Sequence, residues 1–492
     1  MKKQLLTLIL GLSLSAYAQE GILDATFGTS GVVKTDDNRD VYATDIQSDG
    51  KIVLVGSRYD ANGTDAGIFR HNTNGSTDNS FGTNGAVIID FFGKQDIAKG
   101  VKVLADGKIL VGAIVTEGTT KKYALVKLNS DGSIDNTFGT AGKVVVSITG
   151  ATSLGLTTMA VASNGNILLG GTADGFSKAA LVIFKSTGEL DATFDTDGIL
   201  QPNSMVEIQS IKVQTDGKIL FGGNGSNYAT IVRINTDGSL DNTFGTSGKF
   251  TNGTITFGGA NTYIDLASDG KIIGAFGSFA TADINIIKLT STGTLDAEFG
   301  TGGKIIVNAI NGNEYPTAIK LQPNGKLLLT GSDGGSANIF LARLNTDGTP
   351  DNTFGTNGTT ITSVREGGED NAKAIAVQTD GKIIIAGNQC GGMCTYILLR
   401  YNANAVSNPT GLFDVKENLS TYFYPNPATE NLHLTLAQNL EIDFVNILNI
   451  SGQKVKEFAA VTTISVQDLP NGLYFIQVVS NKNTFTQKFI KQ

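Results

Sequence analysis

Apolar and polar positions alternate along most of this chain in short runs, each closed by a cluster of Gly, Asp, Asn or Ser. That is the period-two pattern of brief, half-buried strands bounded by tight turns. Residues 101–146 show the unit. Apolar runs at 101–104, 109–111, 124–128 and 143–146 are separated by Ala105-Asp106-Gly107-Lys108, by a connection beginning at Gly112, and by a long turn from Asn129 to Gly142. In the first turn Gly accepts positive φ and Asp can bond its own backbone, so the spacing predicts a local hairpin. Four strands joined locally predict an antiparallel meander.

The unit recurs. An Asp-x-x-Phe phrase returns at Asp24/Phe27, Asp78/Phe81, Asp135/Phe138, Asp191/Phe194, Asp241/Phe244, Asp296/Phe299 and Asp351/Phe354, with Phe-to-Phe steps of 54, 57, 56, 50, 55 and 55 residues. So even a period is that of one small sheet per repeat. A lone four-stranded sheet cannot bury both faces, and seven in sequence can close into a ring, which predicts an all-β, seven-bladed β-propeller. The first-to-second turn supports the count, its leading residues being Asp49, Asp106, Asn164, Asp216, Asp269, Asn324 and Asp380. The repeats begin with a fourth strand (Val32-Val33-Lys34) and end with three strands at 374–377, 383–386 and 397–401. The N-terminal strand is therefore expected to complete the seventh blade and close the ring without a free edge.

These residues resemble the delta-60 repeat family. Asp216-Gly217-Lys218-Ile219-Leu220-Phe221-Gly222-Gly223 and Arg233-Ile234-Asn235-Thr236-Asp237-Gly238-Ser239-Leu240-Asp241-Asn242-Thr243-Phe244-Gly245 follow its pattern closely, and the resemblance covers roughly residues 22–402. It implies a propeller-like fold and no defined reaction. The unit between Asn164 and Asp195 departs most, with Asn166 in place of Lys, Ile183 in place of a basic residue and Asp195 in place of Gly.

Composition agrees with many turns and short strands: 61 Gly, 8 Pro, no Trp, 17% charged and 40% hydrophobic residues. A net charge of −8, spread along the chain, supports neither a nucleic-acid footprint nor a polybasic membrane anchor. Residues 1–18 read as a signal peptide: Lys2 and Lys3, an apolar stretch from Leu5 to Leu14, and Ala16-Tyr17-Ala18 as a cleavage site. No transmembrane segment is expected. Cys390 and Cys394 in Cys-Gly-Gly-Met-Cys are a disulfide candidate, with two free thiols as the alternative. No zinc set exists, since His71 and His433 lie far off in sequence. A partial resemblance of residues 129–135 to a calcium loop fails, because it would put Lys127 and Phe138 where carboxylates are required. No metal and no cofactor are expected.

A group that recurs in every blade is needed structurally in every blade, so Asp-x-x-Phe reads as an architectural device. In a basic column Arg70, Lys127, Arg233, Lys288 and Arg343 each stand eight residues before an Asp of the phrase, and Arg400 holds the same place in the last repeat. Asp191 nevertheless persists where the column holds Ile183, which favours Asp bonding to backbone N–H groups in its own turn over pairing with the base. On the innermost strands one position carries Asp45, Lys102, Ala160, Lys212, Asp265, Lys320 and Ala376, which predicts a partly paired ring of charge. His71 stands in a column of apolar residues and reads as packing, and neither His forms a triad.

In such a meander the first-to-second and third-to-fourth turns share one face of the ring, and here they are monotonous. The opposite face is built from connections that differ in length and content, and function concentrates in loops on a rigid scaffold. That face carries the ligand-binding candidates Tyr59, Phe92, Phe176, Tyr228, Phe279 and Tyr315, with Asp60, Asp174, Asp283 and Glu314 nearby. Aromatic planes beside carboxylates suit sugar rings; loop aromatics that merely pack over blade rims are the alternative.

After Asn402 the pattern breaks. Residues 403–421 read as a linker, and residues 422–492 as a small C-terminal β-sandwich, with alternation in Leu432-His433-Leu434-Thr435-Leu436. This segment resembles the type A C-terminal sorting domain of the type IX secretion system of Bacteroidetes. The matching pieces are Tyr424-Pro425-Asn426-Pro427, Val445 to Val455 with Ser451-Gly452-Gln453, Leu469-Pro470-Asn471-Gly472-Leu473-Tyr474, and terminal Lys488-Phe489-Ile490-Lys491. The resemblance implies that residues 422–492 engage the sorting machinery and deliver a secreted or outer-membrane surface protein. The leading expectation is a non-catalytic binding protein for glycan or a protein partner. A secreted polysaccharide hydrolase or lyase and a purely structural surface component are the alternatives. No catalytic constellation is legible.

Overall fold

The computed structural model describes residues 20–403 and 422–492, apart from 36–37, 61–62, 152, 176, 226–227, 257–261, 278–282, 310–313, 334–337, 366–368, 392–393, 425–426, 436–442, 450–453, 460 and 481–482. The signal segment and most of the linker lie outside the described residues. Among the described residues every regular element is a strand. The chain divides into two compact units, Met1–Ala405 and Val406–Gln492.

The first unit holds seven four-stranded antiparallel sheets, each a simple meander. In blade 1 the strands are Arg39–Ile46, Ile52–Asp60, Gly63–His71 and Ala86–Ile89. The inner strands of the other blades are Ile97–Val103, Leu154–Val161, Met205–Val213, Thr262–Leu266, Glu314–Leu321 and Glu369–Val377. Each inner strand contacts the next, and that of blade 7 contacts that of blade 1, so the ring is closed. The second and third strands carry the continuous apolar runs, such as Ile167–Ala173 and Lys178–Phe184, because both of their faces pack against neighbouring blades.

The Phe of each Asp-x-x-Phe is the wedge between blades. All seven, from Phe27 to Phe354, are at most 2% exposed. Each ring lies against a turn glycine of the following blade. A Cβ on Gly132, which has φ +91°, would stand 2.9 Å from Phe81, so that position needs glycine for conformation and for space alike.

The seventh blade is assembled from both ends of the repeat region. Strand Val32–Lys34 pairs with Cys394–Tyr401 through Val32↔Leu399 and Lys34↔Ile397. The join reaches further back than that strand. Gly21 N–H donates to Asn402 carbonyl (2.7 Å), Asn402 N–H to Ile22 carbonyl (2.8 Å) and Asp24 N–H to Arg400 carbonyl (2.8 Å). In blade 1 the same bonds run from Gly75 to Asn72, Asn72 to Ser76 and Asp78 to Arg70, within one continuous turn. The blade 7 turn is thus rebuilt from two chain segments, bond for bond.

The second unit pairs a three-stranded sheet (Tyr422–Tyr424, Asn431–Thr435, Thr463–Ser465) with a four-stranded one (Lys454–Ala459, Phe444–Leu448, Gly472–Ser480, Asn483–Lys491). Leu432, Ile464, Val445, Ile476 and Phe489 from both sheets share one core. His433 alternates outward and meets Thr463 Oγ1 at 3.2 Å.

Candidate functional site

On the repeated face nearly every carboxylate is committed. In each Asp-x-x-Phe, Oδ1 accepts the N–H two residues on, and usually that residue's hydroxyl too, as in Asp241 with Thr243 N (3.1 Å) and Oγ1 (2.6 Å). The other oxygen corrects the sequence reading: Oδ2 does pair with the basic column. Arg70 Nε lies 2.7 Å from Asp78, Arg233 Nε 2.8 Å from Asp241, Arg343 Nε 2.6 Å from Asp351, and Arg400 2.9 Å from Asp24. The turn lysine joins the same oxygen, with Lys218 at 2.8 Å from Asp241 and Lys326 at 2.7 Å from Asp351. Burial works to raise these carboxyls, but the hydroxyl, lysine and arginine partners outweigh it and hold Asp24, Asp78, Asp241 and Asp351 well below the usual carboxylate range.

Blade 3 keeps Asp191 because its partner changed rather than vanished. Asn166, at the turn-lysine position, donates to Asp191 Oδ2 at 2.8 Å, and Thr193 holds Oδ1. Toward the same end of the inner ring, Lys102 pairs with Asp45 (2.7 Å), and Lys212 (2.9 Å) and Lys320 (3.9 Å) flank Asp265. The column position of Asp45 is therefore a partly paired ring of charge, interrupted by Ala160 and Ala376. His71 is 1% exposed, bonded to Gly75 carbonyl and Tyr396 hydroxyl, and its pKa is lowered by burial, as suits a packing residue.

On the variable face, the four sequence-predicted aromatics that fall among the described residues stand in separate places. Tyr59 ends the second strand of blade 1, is 37% exposed, and donates its hydroxyl to Asp40 Oδ2 at 2.7 Å. Phe92, 40% exposed, sits in the connection from blade 1 to blade 2 beside Phe91. Tyr228 opens the third strand of blade 4, and Tyr315 lies on the inner strand of blade 6 opposite Ser332. Phe176 and Phe279 lie outside the described residues. Cys390 and Cys394 are bonded to each other as a cross-strand pair of blade 7, with Cα atoms 4.1 Å apart.

What the sequence reading missed is a tier of β-bulges. On six of the seven inner strands one residue is inserted without a partner at the same level: Tyr42, Lys99, Thr157, Gln209, Thr317 and Lys373. A bulge re-aims its side chain, and recurrence at one level makes a ring of re-aimed groups. Lys373, Tyr42 and Lys99 come from the consecutive blades 7, 1 and 2. Lys99 Nζ stands 3.1 Å from the Tyr42 ring centroid, a cation–π contact. Among the described residues neither Lys99 nor Lys373 makes an ion pair. Burial, reinforced by the charge of Lys373, pushes the Lys99 ammonium down to about 8, and burial lowers Lys373 against the pull of Asp40. Burial and the charge of Asp40 raise the Tyr42 phenol. Beside this group Asp40 Oδ1 is buried with no hydrogen-bond partner among the described residues, and Ser57, which faces Asp40 across the blade 1 hairpin, brings its hydroxyl to the Tyr42 and Tyr59 phenols. The signal existed three residues before each charged-ring position, but nothing in a single sequence marks an inserted residue.

One carboxylate group could hold a cation. Oxygens of Asp65, Asp90 and Asp96 lie within 4.8 Å of one another, from the third strand of blade 1 and the connection to blade 2. Burial first, then Asp90 and Asp65, push Asp96 up to about 6, while it accepts Phe91 N–H (2.7 Å) and Thr116 N–H (3.3 Å). Three oxygens would be half of what calcium takes.

Residues 47–81, 104–138, 214–244, 267–299 and 322–354 match the model of a domain of unknown function, the DUF5122 beta-propeller. Those segments belong to blades 1, 2, 4, 5 and 6; the two left out are divergent blade 3 and two-ended blade 7. Residues 422–492 match the secretion system C-terminal sorting domain. No match was found among curated proteins. The extracellular domain of a hybrid two component system from B. thetaiotaomicron is similar at 10% identity and TM-score 0.42, covering 96% of this chain; the chain spans 59% of that structure's length. Chaetomium thermophilum Sqt1 is similar at 13% identity and TM-score 0.42, covering 75% of this chain and 96% of that one. The polysaccharide lyase Uly1 is similar at 12% identity and TM-score 0.43, covering 80% and 94%. At such identities no activity passes from these proteins to this chain. The chain is a propeller of DUF5122-type repeats carrying a type IX sorting domain, which directs it to the secreted or outer-membrane cell surface. No helix among the described residues is long and apolar enough to cross a membrane.

Proposed function

We propose that this exported propeller is a non-catalytic binding protein that takes a glycan at the variable end of the ring, around the bulged residues of blades 7, 1 and 2. The observation that carries the reading is the Tyr42–Lys99 contact set beside a buried oxygen, Asp40 Oδ1, that has no hydrogen-bond partner among the described residues. A buried polar oxygen without a partner costs free energy, which a ligand hydroxyl would recover. The flat ring of Tyr42, the exposed face of Tyr59 and the Asp40 carboxylate supply the stacking and hydrogen bonding that sugar rings use. Tyr59, Phe92, Tyr228 and Tyr315 would extend the contact along the rim.

The test is a glycan array probed with the mature full-length chain, with a polysaccharide turnover assay on the same preparations. Binding without product, weakened at least tenfold by Tyr42→Ala, is the expected result. Binding indifferent to Tyr42 and Lys99 would move the site elsewhere. A second reading, a polysaccharide hydrolase or lyase, has one observation in its favour. Asp96, held near 6 within a three-carboxylate group, would carry a proton into the neutral range as a general acid must. Product formation abolished by Asp96→Asn or Asp90→Asn would establish it.

A further inference from the structure

Five of the seven blades place a cation against the Asp of their Asp-x-x-Phe turn twice over, once from the hairpin turn and once from the third strand, and in blade 2 Lys108 reaches Asp135 while Lys127 stands over the Phe138 ring. Blade 4 shows the full set. Arg233 donates from Nε to Asp241 Oδ2 (2.8 Å), from Nη1 to the Ser291 carbonyl of the next blade (2.5 Å), and lies 4.7 Å over Phe244, while Lys218 completes the pair at 2.8 Å. Arg70 and Arg400 reach the carbonyls of Ser130 and Thr73 in the same way. The arginine therefore does two jobs: it neutralises its own blade's carboxylate and ties that blade to the next.

In blade 3 both cations are missing, Asn166 and Ile183 taking their places. The structure leaves a cleft of about 550 Å³ there, between blades 3 and 4. Its lining contains the groups an arginine meets elsewhere: the Asp191 carboxylate, the Phe194 wedge, and Thr236, whose position in the loop of blade 4 is that of Ser291 in blade 5. Ile183 and Phe194, 3% and 1% exposed, form the apolar floor. Asp216 and Asp237 stand at the wall, and Lys185 is the cation that acts on Asp191 from outside.

We propose that this cleft binds an exogenous guanidinium, the head of an arginine side chain on a protein partner, in the place the missing column arginine holds in other blades. A guanidinium fits better than an ammonium because Asp191 and Thr236 hold the positions that Asp241 and Ser291 hold in blade 4, where one arginine spans both, and because four of the six occupied column positions are arginine. Asp191 Oδ2 accepts from Asn166 alone among the bonds found, so it retains capacity for a charged donor. The site is on the repeated face, and it stands or falls independently of glycan binding at the other end.

The experiment uses the mature full-length chain labelled at isoleucine δ1 methyls, because Ile183 and Ile219 both line the cleft. N-acetyl-arginine amide is titrated in, with the lysine and citrulline analogues as controls. Saturable shifts of these two methyls by the arginine probe are expected, at about millimolar dissociation constant for one solvent-open ion pair. The lysine analogue should bind at least fivefold more weakly and the citrulline analogue should not saturate. Asp191→Asn should weaken the probe at least tenfold. Should that variant fold poorly, Asn166→Lys with Ile183→Arg restores the arrangement of the other blades, and this filled variant should no longer respond to the probe. Absence of saturation, equal response to citrulline or lysine, or an undiminished response in the filled variant would overturn the assignment.

Discussion

The two ends of the propeller ring handle charge in opposite ways. At the repeated end Lys102, Lys212 and Lys320 each meet a carboxylate, and each turn Asp outside blade 3 meets one or two cations as well as its own backbone. At the variable end Lys99 rests on Tyr42 and feels the charge of Lys373, neither lysine makes an ion pair among the described residues, and Asp40 buries an oxygen without a partner there. Charges placed for folding come with their counter-charges built in, since an unpaired buried ion is costly. Groups left half-solvated and unpaired at the end of a rigid ring are free for something outside the chain. The same contrast recurs within the repeated end, where blade 3 alone lacks both cations.

The contrast can be broken most forcefully at ring closure. Deleting residues 20–35 removes the Phe27 wedge, the Asp24 partner of Arg400 and the strand paired with Cys394–Tyr401, so a loss on the order of 5 kcal/mol or more, or failure to fold, is expected in thermal or denaturant unfolding. An unchanged melting curve would show that the two-ended blade carries no stability. Next in size, Arg233→Met should cost about 2 kcal/mol by stranding Asp241 with Lys218 alone, whereas Ile183→Met should cost less than about 1 kcal/mol. Similar losses at the two positions would mean that the column arginine packs rather than pairs.

Acid sharpens the comparison further. Burial works to raise Asp265, but Lys212 and Lys320 outweigh it and hold its folded pKa below the ordinary value. Its contribution is therefore complete above about pH 4 and lost as pH falls through the folded pKa. Asp265→Asn should flatten the acid limb of stability against pH; an identical limb would show the ring charges to be uncoupled from folding. The smallest effect is at the variable end and has the opposite sense. Lys99, at about 8 when folded, binds its proton less tightly than in the unfolded chain, so wild-type stability should rise from about pH 8 to pH 10. Lys99→Met should lose that rise and be no less stable at pH 7, while losing glycan binding.

Much of the architecture was legible because each blade repeats its wedge and its turn: Phe27 to Phe354 count the blades, and Asp49 to Asp380 count the hairpins. The site was less legible. Tyr59 was found as a rim aromatic, but its bond to Asp40 and the neighbouring Tyr42 were not, since an inserted residue looks like any other residue of a strand until its partner strand is in register. The arginine column was visible, yet its pairing was misjudged from Ile183. A sequence records that Asp191 outlived the arginine but not that Asn166, 25 residues away, had moved in to hold it.

Strand length, the number of blades and the destination of the chain follow from the order of residues alone, because hydrophobic alternation, a 50- to 57-residue period and the motifs of residues 422–492 are local properties. Which charges meet, where the bulges stand, and what space the missing cations of blade 3 leave open are set by the folded arrangement. Those depend on contacts between blades, some 50 to 60 residues apart and across the closure more than 320, and free energy there is set by distance in space rather than by order in the chain.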